Sequence, residues 1–266
     1  MRLATQISPQ EFAILETVDI LGIATGEQIE RLHFTELSES SRHNLRRRAL
    51  RRLSDKRALV AFPRRVGGRQ RGSETTIYGL GIVGQRLMAQ RQGFSGAYRP
   101  RRRSLPGLQL LAHVLAVSEL YVRLVEASRV HGFSVTCETE PASWWRDSGK
   151  VIKPDAYAVL ATTEYSDYWW IEVDRSTESV PTVLRQLDIY TAFAERGLPG
   201  PSGVIPRVLV TVPTEARCTA LIDALSDRTA SGDPLITVTV FDAAVGLLTS
   251  RLLGTETPTP ASKGDQ

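Results

Sequence analysis

The apolar positions of the N-terminal third follow two periods. Phe12, Leu15, Val18 and Leu21 repeat at helical spacing, and Ser8-Pro9-Gln10-Glu11 ahead of them is a good helix start with a first-turn proline. Thr25, with Gln28 three residues on, has the pattern of a capping box and opens a second short helix with Ile29 and Leu32 on its apolar side. Ser38-Glu39-Ser40-Ser41 opens a third helix running to about Lys56, with Leu45, Ala49, Leu50 and Leu53 as a narrow packing stripe. The period then changes. Leu59–Arg65 and Thr75–Leu80 read as strands, joined through the glycine-punctuated segment from Val66 to Gly72. Ile82–Gln92 returns to helix. Three helices, a two-stranded basic wing and a further helix predict a winged helix-turn-helix domain over residues 1–92.

Residues 93–107 hold three Gly, two Pro and the run Arg101-Arg102-Arg103, the composition of a basic linker. Beyond it, Leu108–Val130 predicts a long amphipathic helix. Strands are expected at Phe133–Cys137, Val151–Leu160, Tyr168–Asp174, Val204–Val212 and Leu235–Phe241, with helices at Val180–Arg196 and Thr214–Ser226. That order predicts a mixed-sheet α/β domain over residues 108–253, and an α+β chain as a whole. The Thr-, Pro-, Ser- and Gly-rich residues 254–266 read as a disordered tail.

Charge sharpens this division. The chain has 266 residues and a formal net charge of +4, but residues 1–105 hold 20 basic and 9 acidic residues, a net +11, while residues 106–266 carry −7. Such an asymmetry separates a polyanion-facing part from a part with another task. Of the 33 basic residues only Lys56, Lys150, Lys153 and Lys263 are lysines. Codon bias accounts for the arginine excess as a whole but not for its clustering. Two cysteines, Cys137 and Cys218, cannot build a disulfide framework, so a reducing cytoplasm is expected. No charged start followed by an apolar stretch opens the chain, and no uninterrupted apolar run approaches the roughly 20 residues of a membrane span. Neither secretion nor a membrane is expected.

Residues 42–71 contain 12 Lys/Arg and one acid, Asp55. A basic face on a helix is commonly just a solvated surface, but such faces alternate acids with bases, and this one does not. Double-stranded DNA is the expected partner. In a winged helix-turn-helix the third helix enters the major groove. Ser40, Ser41, Arg42, His43 and Arg46 then lie near the base edges. Arg47, Arg48, Arg51 and Arg52, with Arg64, Arg65, Arg69 and Arg71 of the wing, would neutralise phosphates.

The acidic half carries a different pattern. Asp155 follows Pro154 near the start of one predicted strand. Glu172 and Asp174 share one face of the next, because strand side chains alternate. An antiparallel pairing would bring the three carboxylates together, and oxygen-only clusters suit Mg²⁺ or Mn²⁺. Asp155 and Glu172 are the candidate metal ligands. The alternative is a fold signature without chemistry, in which Asp155 caps a turn and Glu172 pairs with Arg175 or Arg185. Glu119, on the long helix, is either a further acid or part of a solvated face. His113 reads as a core or interface residue, and the tryptophan pairs 144–145 and 169–170 as packing.

Pro154-Asp155 and Glu172-x-Asp174 after a helix and a strand resemble the PD-(D/E)XK nuclease-like, or restriction-endonuclease-like, fold. Gln186-Leu187-Asp188-Ile189-Tyr190 resembles the Q-x-x-x-Y element of some of its members. The whole layout is similar to the replication-relaxation family of plasmids and integrative elements. The segment Glu172-Val-Asp-Arg-Ser-Thr-Glu-Ser179 carries most of this likeness, which runs from about residue 10 to 240. The resemblance implies a role in mobile-element replication, transfer or its regulation, with replication or transfer proteins as partners. It also implies Asp155, Glu172, Asp174, Lys153 and Gln186 as the residues of a nuclease-type site. The nuclease pattern places a lysine two residues after the second acid, where this chain has Asp174; Lys153 is a relocated candidate, and Gln186 stands near the place of a family lysine. The resemblance therefore leans towards a degenerate nuclease-like domain. Two other readings stay open: a Mg²⁺/Mn²⁺-dependent endonuclease targeted by its winged helix, and a dimeric transcriptional repressor.

Overall fold

The computed structural model describes residues 7–36, 38–62, 76–94, 99–100, 104–147, 149–226 and 235–254. Among these lie eight α-helices and ten strands in a mixed α+β arrangement. They divide into two compact units. The first holds residues 1–126 and 137–157, and the second residues 127–136 and 158–266.

In the first unit, α1 (Pro9–Leu21), β1 (Ile23–Thr25), α2 (Gly26–His33) and α3 (Glu39–Asp55) are followed by β2 (Leu59–Phe62), β3 (Ile77–Leu80) and α4 (Ile82–Arg91). The capping box expected of Thr25 and Gln28 forms on α2, and Ser8 and Glu11 form a second one on α1. Each satisfies two backbone donors that a helix start leaves open. The short β1 has no counterpart in the sequence reading. It pairs antiparallel with β3, which also pairs with β2, giving the order β1-β3-β2. The wing tip, with Arg64, Arg65, Arg69 and Arg71, lies outside the described residues, as does the run Arg101–Arg103.

Ile14, Leu15, Val18, Ile29, Leu50, Leu53, Leu59 and Leu80 are among the buried side chains that join α1, α2 and α3 to the sheet. Gly81 and Gly84 let α4 start hard against the turn after α3. A Cβ on either would sit 2.3 Å from the Arg57 carbonyl oxygen or 2.2 Å from that of Ala58.

The stripe expected on α3 is shifted by one residue. Ala49, Leu50 and Leu53 are buried as expected, but Leu45 is 40% exposed and Arg46 1%. Position 46, not 45, shares the phase of 49, 50 and 53.

The first part of α5 (Leu108–His131) also belongs to this unit. Leu111 packs with Ile23 and Ile77, and Ser118 donates to the Ile23 carbonyl at 3.0 Å. Arg31 of α2 forks onto two acids of α5: Nη1 meets Glu119 at 2.8 Å, and Nε and Nη2 meet Glu126 at 2.8 and 2.6 Å. Glu119 is thus neither a metal-directed acid nor merely solvated. By length and composition α5 would be able to cross a membrane. Its inner side chains are packed on protein, and Glu119 and Glu126 are ion-paired within the unit.

The strand expected over 151–160 is two strands. β6 (Lys150–Ile152) forms a hairpin with β5 (Trp145–Asp147), and the chain then breaks at Lys153-Pro154-Asp155 before β7 (Ala156–Ala161). A proline has no N–H to give to a ladder, so the break falls where Pro154 stands.

The second unit is built on a five-stranded sheet of order β10-β9-β8-β7-β4, with β4 spanning Ser134–Thr139. A tight turn at Thr162–Tyr165 joins β7 to β8 (Ser166–Val173). β8, β9 (Arg207–Val212) and β10 (Ile236–Val240) run parallel. Their connections contain α6 (Val180–Glu195) and α7 (Glu215–Ser226), as parallel neighbours require. A closing helix, α8 (Ala244–Leu252), is additional to the sequence expectation. Trp169 and Trp170 on β8 are fully buried, Trp170 meeting Phe193 edge-on at 5.2 Å. Both are core residues, as the sequence reading preferred.

Candidate functional site

The exposed face of α3 carries Arg47, Arg48, Arg51 and Arg52. Arg47 and Arg48 are exposed and have no carboxylate partner among the described residues. Arg51 is 84% exposed, with Asp55 a turn away at 4.0 Å, a contact too long and too wet to hold it. Arg52 is committed in part, because its Nε donates to the buried Glu11 at 2.9 Å. Burial pushes the Glu11 carboxyl up. The Ser8 amide and the Arg52 and Lys56 charges outweigh this and hold it below the usual carboxylate range.

The N-terminal turns of α3 are ordered by their own side chains. Ser38 Oγ donates to Ser41 Oγ at 2.9 Å, and the Asn44 amide to the Ser40 carbonyl at 3.0 Å. Ser41, Arg42 and His43 are half-buried. Arg46 does not join the surface that Arg47 and Arg48 form. Its Nη1 pairs with Glu30 of α2 at 2.8 Å, and Nη2 donates to His43 Nδ1 at 3.0 Å. The expectation that Arg46 reaches base edges is corrected accordingly: its guanidinium ties α3 to α2. Glu30, its partner, has no sequence signal beyond its charge.

The residues implied for a nuclease-type site each have partners within their own unit. Asp155, at the Pro154 break, accepts from His113 Nε2 of α5 at 2.9 Å. His113 therefore makes a hydrogen bond to a carboxylate rather than only apolar contacts. Lys153 is exposed, and its Nζ sits 4.6 Å from the Trp144 ring centre, a cation–π contact.

In the second unit, Glu172 on β8 accepts a short hydrogen bond from Tyr190 Oη on α6. The Gln-x-x-x-Tyr element thus divides: Tyr190 meets Glu172, while Gln186 donates to Glu178 at 2.9 Å. Asp174, just past β8, is 7% exposed. It receives Arg217 Nε at 2.7 Å and the Ser176 amide at 2.7 Å. Arg217 also donates to the Glu178 carbonyl at 2.8 Å, stapling the segment 174–178 to α7. Arg217 lies some forty residues downstream of Asp174, and no spacing rule pointed to it. Asp174, in the place of the nuclease lysine, is thus built in as the anchor of a turn. Among the described residues, no group of three or more His, Cys, Asp or Glu side chains stands together as a metal ion would require.

The two units define a mixed α+β protein: an arginine-faced helical unit, and a sheet unit whose acids are held by neighbouring side chains. The family model described as Replication-relaxation matches residues 15–208, from within α1 to within β9, and the chain belongs to that family. No curated protein and no solved structure matches it.

Proposed function

We propose that this protein binds double-stranded DNA through the exposed face of α3, in the service of mobile-element replication, transfer or its regulation. The exposed face of Arg47, Arg48 and Arg51, balanced among the described residues only by the loose 4.0 Å contact of Arg51 with Asp55, carries the reading. Exposed arginines without acids to balance them repel one another and gain most from a polyanion. Three helices and a three-stranded antiparallel sheet suit a winged helix-turn-helix, with α3 as its groove helix and Arg64, Arg65, Arg69 and Arg71 of the intervening segment as further phosphate contacts. Family membership supplies the mobile-element context. Association with replication or transfer proteins, or with a second copy, belongs to the same proposal. The restriction-endonuclease-like reading of the second unit is kept as one of form. Asp174 is taken by Arg217, which supports a binding or scaffold role over hydrolysis.

Two measurements test this. Duplex affinity followed by anisotropy from low to moderate salt is expected to fall with a log–log slope of roughly −0.9 per phosphate neutralised. Replacing Arg47, Arg48 and Arg51 by alanine is expected to weaken binding and flatten that slope by about 3. A salt-independent affinity, or a triple variant that binds like the parent, would overturn the proposal. Incubating supercoiled plasmid with Mg²⁺ or Mn²⁺ is expected to leave it intact. Nicking by the parent chain but not by Asp155→Ala would restore the endonuclease reading.

A further inference from the structure

His43 is held in a way that gives its ring one chemical meaning. Its Nδ1 stands 3.0 Å from Nη2 of Arg46. A guanidinium has five donors and no acceptor, so Nδ1 must accept, and the ring proton of the neutral imidazole resides on Nε2. Arg46 is held in place by burial, at 1% exposure, and by the ion pair of its Nη1 with Glu30 at 2.8 Å. The two ring nitrogens point in divergent directions, so an Nδ1 directed at the buried guanidinium leaves Nε2–H directed away from it. Nε2 has no partner among the described residues, and His43 is half-exposed on the N-terminal turns of α3. Its neighbours are less free to read. Asn44 donates to the Ser40 carbonyl, and Ser41 accepts from Ser38, so each is held by a contact within the turn.

We infer that His43 is a specificity-determining residue whose locked Nε2–H reads a hydrogen-bond acceptor on a base edge. This rests on the reading that α3 docks in the major groove. There guanine offers two adjacent acceptors, N7 and O6. Adenine offers N7 beside a donor, thymine one acceptor beside a methyl group, and cytosine a donor. A histidine free to change tautomer meets either kind of edge. One held by Arg46 favours guanine and rejects cytosine. Arg46, which does not itself touch DNA, is the positioning residue.

The test is selection of a random duplex library with the full chain, followed by anisotropy titrations on single-base variants of the selected site. Parent, His43→Ala and His43→Gln are compared. The parent is expected to select a site with one position where guanine is preferred to cytosine by about tenfold. His43→Ala is expected to lose that preference at that position alone, with the salt slope unchanged because phosphate contacts persist. His43→Gln, whose amide both donates and accepts, is expected to keep binding there but shift the preference from guanine to adenine, whose N6 and N7 it meets together. A His43→Ala chain that keeps every preference, or loses affinity equally for all sequences, overturns the inference. Parent binding without base preference also overturns it while leaving duplex binding intact. Failure of the parent to bind any duplex removes both readings.

Discussion

Arg46 and Arg47 are adjacent, carry the same charge, and do opposite work. Arg46 is enclosed by Glu30 and His43, while Arg47 lies exposed one residue on. Removing one member of a buried pair leaves an uncompensated charge, which is strongly destabilising. Arg46→Ala is therefore expected to lower unfolding free energy by about 3 kcal/mol. Arg47→Ala is expected to stay within roughly 0.5 kcal/mol of the parent while weakening duplex affinity. Urea melts and anisotropy on the two variants separate these effects; equal stability losses would mean that the burial distinction is wrong. This pair also marks a limit of the sequence. Residue type assigned Leu45 inward and Arg46 outward. Helical phase, set by Ala49, Leu50 and Leu53, required the reverse. Polarity is a sound guide to burial until a charge finds partners on another helix. Glu30 gives no hint in the sequence that it is such a partner.

Among the elements, α3, α5 and the Thr25–Gln28 capping box were legible because each rests on local chemistry within a few turns. The break at Lys153-Pro154-Asp155 was not, although Pro154 stood in plain sight. The apolar residues on both sides were read as one strand, and the β5–β6 hairpin was missed with it. The candidate acids were visible as residue types, but their partners were not. His113, Tyr190 and Arg217 reach Asp155, Glu172 and Asp174 from other elements, and long-range pairing leaves no periodicity.

The hold of α2 on α5 gives an element-level prediction. Burial pushes the Glu119 carboxyl up, but hydrogen bonds from Arg31 and Gln28, the Arg31 charge and Arg123 hold it below the usual range. The Arg31 guanidinium is raised, chiefly by its bond to Glu126. A carboxylate whose value is lowered by folding stabilises the fold above its unfolded value, and that contribution disappears as pH falls through the folded one. Glu119→Gln is therefore expected to be less stable than the parent at neutral pH by about 2 kcal/mol. The difference should shrink as pH drops through and below the ordinary carboxylate range. Paired thermal melts across that range check it; a gap that is constant with pH would mean that Glu119 acts through packing alone.

On the scale of the whole molecule, the near-neutral total conceals a net +11 over residues 1–105, where the arginine face of α3 lies. The compact units do not divide where composition turns basic and glycine-rich. The first runs on through Glu126 and also takes in residues 137–157; its hold on α5 comes from Leu111, Ser118, Glu119 and Glu126, which are bound to β1, β3 and α2. A fragment ending at Gly107 strips Ile23 and Ile77 of their cover and leaves Arg31 without both acids. A fragment ending at Glu126 keeps them. The longer fragment is expected to melt several degrees higher, since a kilocalorie shifts the midpoint of a domain this size by roughly 4–8 °C. If the phosphate contacts all belong to the basic unit, it should also bind duplex with the same salt slope as the full chain. Equal melting of the two fragments would show that α5 is dispensable to the basic unit. A shallower slope for the longer fragment would assign part of the duplex contact to the acidic half, despite its −7.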